Sequence, residues 1–174
     1  MNSSTITRNI IRAIGLLLFQ VLVLIRVDLS IGDFTYVHFL IYPFIILLLP
    51  VNTPKAFVLI SGFVIGIIVD MFYNSPGVHT AALLITSYVR SLILLMLQPY
   101  EGYTNKTSPT LVQMGFSWFI SYIAIMLVIH CFAYFSFEAF TFVYFFKIFL
   151  NTIFTVIPTL ILFTIMHLVF RSKY

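Results

Sequence analysis

The chain has 174 residues, 61% of them hydrophobic and only 8% charged. A soluble domain carries about 25% charged residues, so a water-facing surface could not be covered here and the expected solvent is lipid. The net charge of +4 comes from nine scattered Lys and Arg, with no basic run and no basic stripe interleaved with aromatics, which excludes a nucleic-acid face.

A membrane-spanning helix needs about 20 mostly apolar residues. Six such spans with short connections use up the length, so one all-α transmembrane domain over residues 1–174, a six-helix bundle, is expected. After the polar start 1–5, the first span is read at residues 7–25, a retained helix and not a signal peptide, because no small-residue cleavage site follows it. Arg26, Asp28, Gly32 and Asp33 mark a polar connection. The second span, residues 36–49, is short and interrupted by Pro43, and Pro50, Asn52 and Pro54 make the next turn. Proline is welcome in a first helical turn, so the third span is read at residues 54–73. Asn74-Ser75-Pro76-Gly77 is a strong turn signal. The fourth span is 78–97, the polar stretch 98–109 follows, and the fifth and sixth spans are 111–134 and 147–170.

Orientation follows from the excess of Lys and Arg on cytoplasmic loops. With six spans, one side holds both termini and six cations: Arg8, Arg12, Lys55, Lys106, Arg171 and Lys173. The other side holds two, Arg26 and Lys147, with Asp28, Asp33 and Glu138. Both termini are therefore expected in the cytoplasm. Residues 132–149 contain ten Phe or Tyr in eighteen positions and fall at the outer interface. Such a segment is an aromatic belt, a short interfacial helix or a docking surface.

Within the spans, Gly62, Gly66 and Asp70 are four residues apart and share one helix face. Two small residues at this spacing let a second helix approach closely; internal packing is the plainer reading, and dimerisation through this motif alone is weakly supported. A carboxylate at such a depth needs a partner, and Asp70 is expected to accept bonds from free amides of the turn 74–78, where the next helix begins. Arg90 lies mid-span, where insertion costs about 2.5–3.5 kcal/mol. His79, Ala82, Thr86 and Arg90 fall on one face, a polar stripe that should face protein. Asp70 and Arg90 differ in depth by nine residues, roughly 13 Å at the helical rise, so a water-bridged pair, Asn151 and Thr155 of the last span, or a partner protein are the options for Arg90. Asn151, Thr155 and Pro158 form a further polar line, read as packing, with Pro158 expected to kink its helix.

Catalytic patterns are missing from the sequence: no His-Glu-x-x-His, no phosphate-binding glycine loop and no paired carboxylates. His38, His79, His130 and His167 lack metal spacing, and Cys131 stands alone, so neither a disulfide nor a cysteine metal site is expected. No cofactor and no enzymatic activity are expected.

The stretch Ile60-Ser61-Gly62-Phe63-Val64-Ile65-Gly66-Ile67-Ile68-Val69-Asp70, with the turn 74–79 and a following helix containing Ser87-Tyr88, resembles the rod shape-determining protein MreD family. That family has a similar Gly-Phe-x-x-Gly-x-x-x-Asp helix and then a Gly-containing turn, here Pro76-Gly77. Tyr42-Pro43 through Leu49-Pro50, and Asn151 and Pro158, resemble it more weakly; Arg90 and the aromatic segment have no family-wide counterpart. The resemblance implies a non-catalytic scaffold or regulatory subunit of the bacterial elongation machinery in the inner membrane. Its implied partners are a single-span MreC-like protein, MreB, RodA and its transpeptidase, together with membrane lipids and, within a larger complex, a second copy. The implied role is control of lateral peptidoglycan synthesis and cell shape. The family is also similar in fold to the substrate-binding subunits of energy-coupling-factor vitamin transporters, which supplies the alternative function. Those subunits commonly carry an Ala-x-x-x-Ala face on their first helix; here Arg8, Arg12, Gly15 and Phe19 share that face instead.

Overall fold

The computed structural model describes residues 3–27, 29–31, 34–104 and 107–169. Asp28, Gly32, Asp33, Lys106, Phe170, Arg171 and Lys173, used above for connections and orientation, lie outside the described residues. Four helices are long and apolar enough to cross a membrane: α3 (Lys55–Tyr73), α4 (Val78–Met96), α6 (Phe116–Ala139) and α7 (Phe145–Val169). They pack as consecutive antiparallel neighbours, α3 on α4, α4 on α6 and α6 on α7. The first helix, α1 (Ser3–Leu22), has 20 residues and is about 30 Å long at the helical rise. It contains Arg8, Asn9, Arg12 and Gln20 and is not one of the four.

The largest departure from expectation is at residues 36–49. No spanning helix forms there. A short antiparallel hairpin of β1 (Leu29–Ile31) and β2 (Phe34–Val37) leads into extended backbone, one helical turn α2 (Phe44–Leu47), and the turn at Pro50. Pro43 stands at the N-cap of α2 and Pro50 follows its end, so the helix is confined to the single turn between two prolines. Leu40 through Leu48, Pro43 aside, form the heart of the apolar core, and Tyr42 and Phe44 are fully buried in it. Phe44 stacks on Phe163 of α7.

Other boundaries moved for local reasons. The fifth span was expected at 111–134; α6 starts five residues later because Gly115, with φ +80°, ends a separate helical turn α5 (Leu111–Met114) and opens α6 behind it. The aromatic segment 132–149 is divided among the end of α6, a single 3-10 turn (Phe142–Tyr144) and the start of α7. Its first part is the end of α6, where Tyr134 and Phe135 are buried, and its last part starts α7, where Phe145, Phe146 and Phe149 are exposed. Between them Phe140 takes a left-handed conformation, φ +51°, while 88% exposed.

Candidate functional site: a buried polar lattice

The turn between α3 and α4 is set by two left-handed residues, Asn74 (φ +50°) and Gly77 (φ +90°). Gly77 is there because a side chain at that φ costs free energy. Asn74 closes α3 with its amide on the Asp70 carbonyl. The turn then lays the first residues of α4 over the Asp70 carboxylate. Oδ1 accepts from the His79 amide at 2.9 Å, from the His79 ring at 3.0 Å and from the Ser75 hydroxyl at 3.2 Å. Oδ2 accepts from the Thr80 amide at 3.0 Å and from its hydroxyl at 2.5 Å. The acceptor was expected for amides of residues 74–78; it takes those of His79 and Thr80, inside the first turn of α4, where a helix leaves its N–H groups unpaired and favours an anion.

Gly62 and Gly66 make this approach possible. A Cβ on Gly66 would lie 2.5 Å from Thr80 Cα, and one on Gly62 would collide with the Ser87 hydroxyl. The small-residue face is therefore spent on the α3–α4 seam inside the chain. Ser87 is buried with its hydroxyl unpaired, a cost that helix contact at Gly62 imposes.

His79 is fully buried, its ring set among Tyr42, Tyr73 and Tyr134 at centroid distances of 5.5, 4.8 and 4.9 Å. Its Nδ1 carries the proton given to Asp70, and its Nε2 has no polar partner. Deeper in the bundle, the Thr86 hydroxyl gives its only proton to the Ala82 carbonyl at 2.8 Å, so it accepts from His130 Nδ1 at 2.8 Å. His130 Nε2 is then an acceptor and takes the Tyr42 hydroxyl proton at 2.7 Å. This assignment comes from donor and acceptor supply along the chain of bonds. It makes His130 neutral, as a residue with no exposed surface requires.

Around residues 38–50 the same logic is repeated from every side. Gln20 of α1 donates to the Phe39 carbonyl at 3.0 Å and to the Tyr73 hydroxyl at 2.6 Å, and accepts from the amides of Ile41 and Tyr42. Thr155 of α7 accepts from the His38 amide, and Thr159 donates to the His38 carbonyl, both at 3.3 Å. Tyr122 of α6 donates to the Leu47 carbonyl at 3.1 Å. Arg90 of α4, 2% exposed, donates through one terminal nitrogen to the carbonyls of Leu49 at 2.5 Å and Pro50 at 3.3 Å. Buried backbone outside a helix or sheet needs partners for its polar groups, and these five side chains supply them to residues 38, 39, 41, 42, 47, 49 and 50. Arg90 thus bonds backbone carbonyls that follow α2, partners the sequence reading did not name, while its Nε is unpaired and Thr155 bonds His38. Asn151 is buried with its Oδ1 unpaired, and Pro158 lies inside α7.

Beyond the end of α4, Tyr103 donates to the Leu94 carbonyl at 2.7 Å and Trp118 to that of Leu97 at 2.6 Å, closing the helix end. Burial raises the Tyr103 hydroxyl above its ordinary range, which keeps that donor protonated. The Pro76–Gly77 corner lies on the surface, away from these clusters.

Sequence reading brought out Asp70, His79, Thr86 and Arg90, and the fold gathers them along α4. It gave no role to Gln20, Tyr122 or Thr159, named Tyr42 only within the weaker part of the resemblance, and noted His130 only as lacking metal spacing. A signal for them existed: a lone Gln, a Thr and a Tyr in otherwise apolar spans each need a partner, and the short proline-bracketed run 36–49 is where unpaired backbone would be found. Among the described residues, no three His, Cys, Asp or Glu come together in a set able to hold a metal ion. Comparison with protein-family models, with curated proteins and with solved structures gave no significant match.

Proposed function

We propose that this chain is a non-catalytic scaffold of the bacterial elongation machinery, in the manner of the MreD family that its Gly62–His79 stretch resembles. The observation that carries this reading is the commitment of the interior. Asp70, Thr86, Arg90, His130 and Gln20 are bonded to this chain's own backbone and to one another, an arrangement suited to rigidity. The outer faces of α1, α3 and α4 offer apolar side chains such as Ile14, Phe63 and Leu92 to lipid or to neighbouring helices. On this reading the chain crosses six times, with residues 38–50 as the second crossing and both termini in the cytoplasm. In support, Gln20 meets Tyr73 near one end of the bundle, while Val51 bonds Thr107 at the other. Partners are a single-span MreC-like protein and, through it, MreB, RodA and the transpeptidase.

The transporter-subunit reading draws on one feature, the broken second crossing, since transporters build substrate sites from interrupted helices. Here the carbonyls of Phe39, Leu47 and Leu49 are already taken by Gln20, Tyr122 and Arg90, which weighs against it. Depleting the protein in its host tests the scaffold reading. Rods should round up and widen while vitamin uptake is unchanged; rods of normal width, or a vitamin requirement, would contradict it.

A further inference from the structure

Neutral side chains serve most of the backbone between Val37 and Val51. Gln20 answers the Phe39 carbonyl, Tyr122 that of Leu47 and Thr159 that of His38. The carbonyls of Leu49 and Pro50 are instead met by a charged group, the guanidinium of Arg90. Arginine is among the costliest residues to place mid-span, and a buried charge is ordinarily paired. Arg90 is buried, and among the described residues no carboxylate pairs with it. A neutral amide such as that of Gln20 could donate to two carbonyls without carrying a charge into the membrane, so the bonds alone do not require a cation.

We propose that the carbonyls of Leu49 and Pro50 form a site for a monovalent organic cation, and that Arg90 fills it as a tethered ligand. Arginine elsewhere uses its fork, two parallel bonds to one acceptor group. Here one terminal nitrogen, Nη2, takes both carbonyls, at 2.5 Å from Leu49 and 3.3 Å from Pro50, while Nε is buried without a partner. The two oxygens thus converge on a single point, as they would around a compact ion. The Pro50 carbonyl already accepts from the Thr53 amide at 3.1 Å and the Thr53 hydroxyl at 2.7 Å, which occupies both of its lone pairs. What it offers Nη2 is therefore attraction between its dipole and a charge, not a directed bond. Both carbonyls follow the end of α2, where the backbone has left the helical pattern, and unwound carbonyls of this kind coordinate cations in membrane transporters. The turn is also within reach from outside, since Leu49 and Pro50 are half-buried whereas Phe44 to Leu47 are buried. The inference rests on the contacts of Arg90 alone and is independent of the elongation-machinery reading.

Arg90→Ala removes the tethered ligand and leaves space for ethylguanidinium, the part of the side chain beyond Cβ. The test is thermal unfolding of the full-length protein in mild detergent with millimolar ethylguanidinium chloride, and with ethylurea as the uncharged counterpart of the same shape. Ethylguanidinium should raise the unfolding temperature of Arg90→Ala by several degrees and saturate, as binding to the folded state requires. It should leave the unsubstituted protein unchanged, and ethylurea should affect neither. Equal stabilisation of Arg90→Ala by ethylurea would mean that the site needs donors and not charge. A flat response to both compounds, or the same rise in the unsubstituted protein, would mean that no such site exists. Each of these results overturns the proposal. Where Arg90→Ala does not fold, Arg90→Lys and Arg90→Gln decide. The proposal requires the lysine variant, which keeps a charge on one nitrogen, to unfold at the higher temperature; an equal or higher value for the glutamine variant, an uncharged donor, overturns it.

Discussion

Replacing Arg90 by Leu separates two effects of opposite sign. Insertion of α4 becomes easier by about 3 kcal/mol, since a mid-span Arg costs about 2.5–3.5 kcal/mol and Leu is mildly favourable. The folded bundle loses donors to two carbonyls. Pro50 keeps the amide and hydroxyl of Thr53, so its loss is small. Leu49 keeps no other donor among the described bonds, and leaving this half-buried carbonyl unpaired costs about 1–3 kcal/mol. A net loss of about 2 kcal/mol from the inserted, folded state lowers the unfolding temperature by about 4–8 °C for a chain of this size. Glycosylation mapping of α4 in microsomes reads the insertion term, and unfolding in mild detergent reads the folding term. Arg90→Lys, with a shorter reach and no fork, should recover only part of the loss. An Arg90→Leu protein that unfolds at or above the native temperature would refute the reasoning, because the guanidinium would then contribute nothing to holding residues 49–50.

Gly66→Ala should destabilise by about 1–3 kcal/mol through overpacking against Thr80, whereas Gly15→Ala, with nothing within 4 Å of the new methyl, should be neutral or stabilise by about 0.5–1 kcal/mol; thermal unfolding of the pair checks the contrast. Gln20→Leu removes the bonds to Phe39, Ile41 and Tyr42 and should speed amide exchange at Ile41 and Tyr42 well before it affects α3 or α4. Phe140→Gly relieves a left-handed conformation that costs a bulky residue about 1 kcal/mol or more, so the variant should unfold later in detergent.

The helices with strong boundary signals were legible. Pro54 before Lys55 and Asn74-Ser75-Pro76-Gly77 after Tyr73 bracket α3 to within a residue, because proline and positive-φ residues act locally. Gly62, Gly66 and Asp70 were readable as one face for the same reason. Residues 36–49 were not. Hydropathy reports burial, and this run is buried, but whether a short apolar segment is helical or extended depends on whether side chains elsewhere can satisfy its backbone. Those side chains, Gln20, Arg90, Tyr122, Thr155 and Thr159, are between 19 and 121 positions away from the backbone groups they bond. The partner of Arg90 was hidden for a related reason: only the tertiary path of the chain brings the carbonyls of residues 49–50 beside α4. Gly115 shows the smaller version, where one positive-φ residue moved the start of α6 past an apolar run that pattern alone joined to it.

Co-purification bears most directly on the scaffold reading. The tagged protein, expressed at its native level and extracted in a gentle detergent, should bring down a single-span MreC-like protein in near-equal amount. That protein should be diminished when Arg90→Leu or Gly66→Ala loosens the bundle. Recovery of ATPase subunits with a transmembrane coupling protein, and no MreC-like chain, would contradict the scaffold reading and favour a transporter subunit.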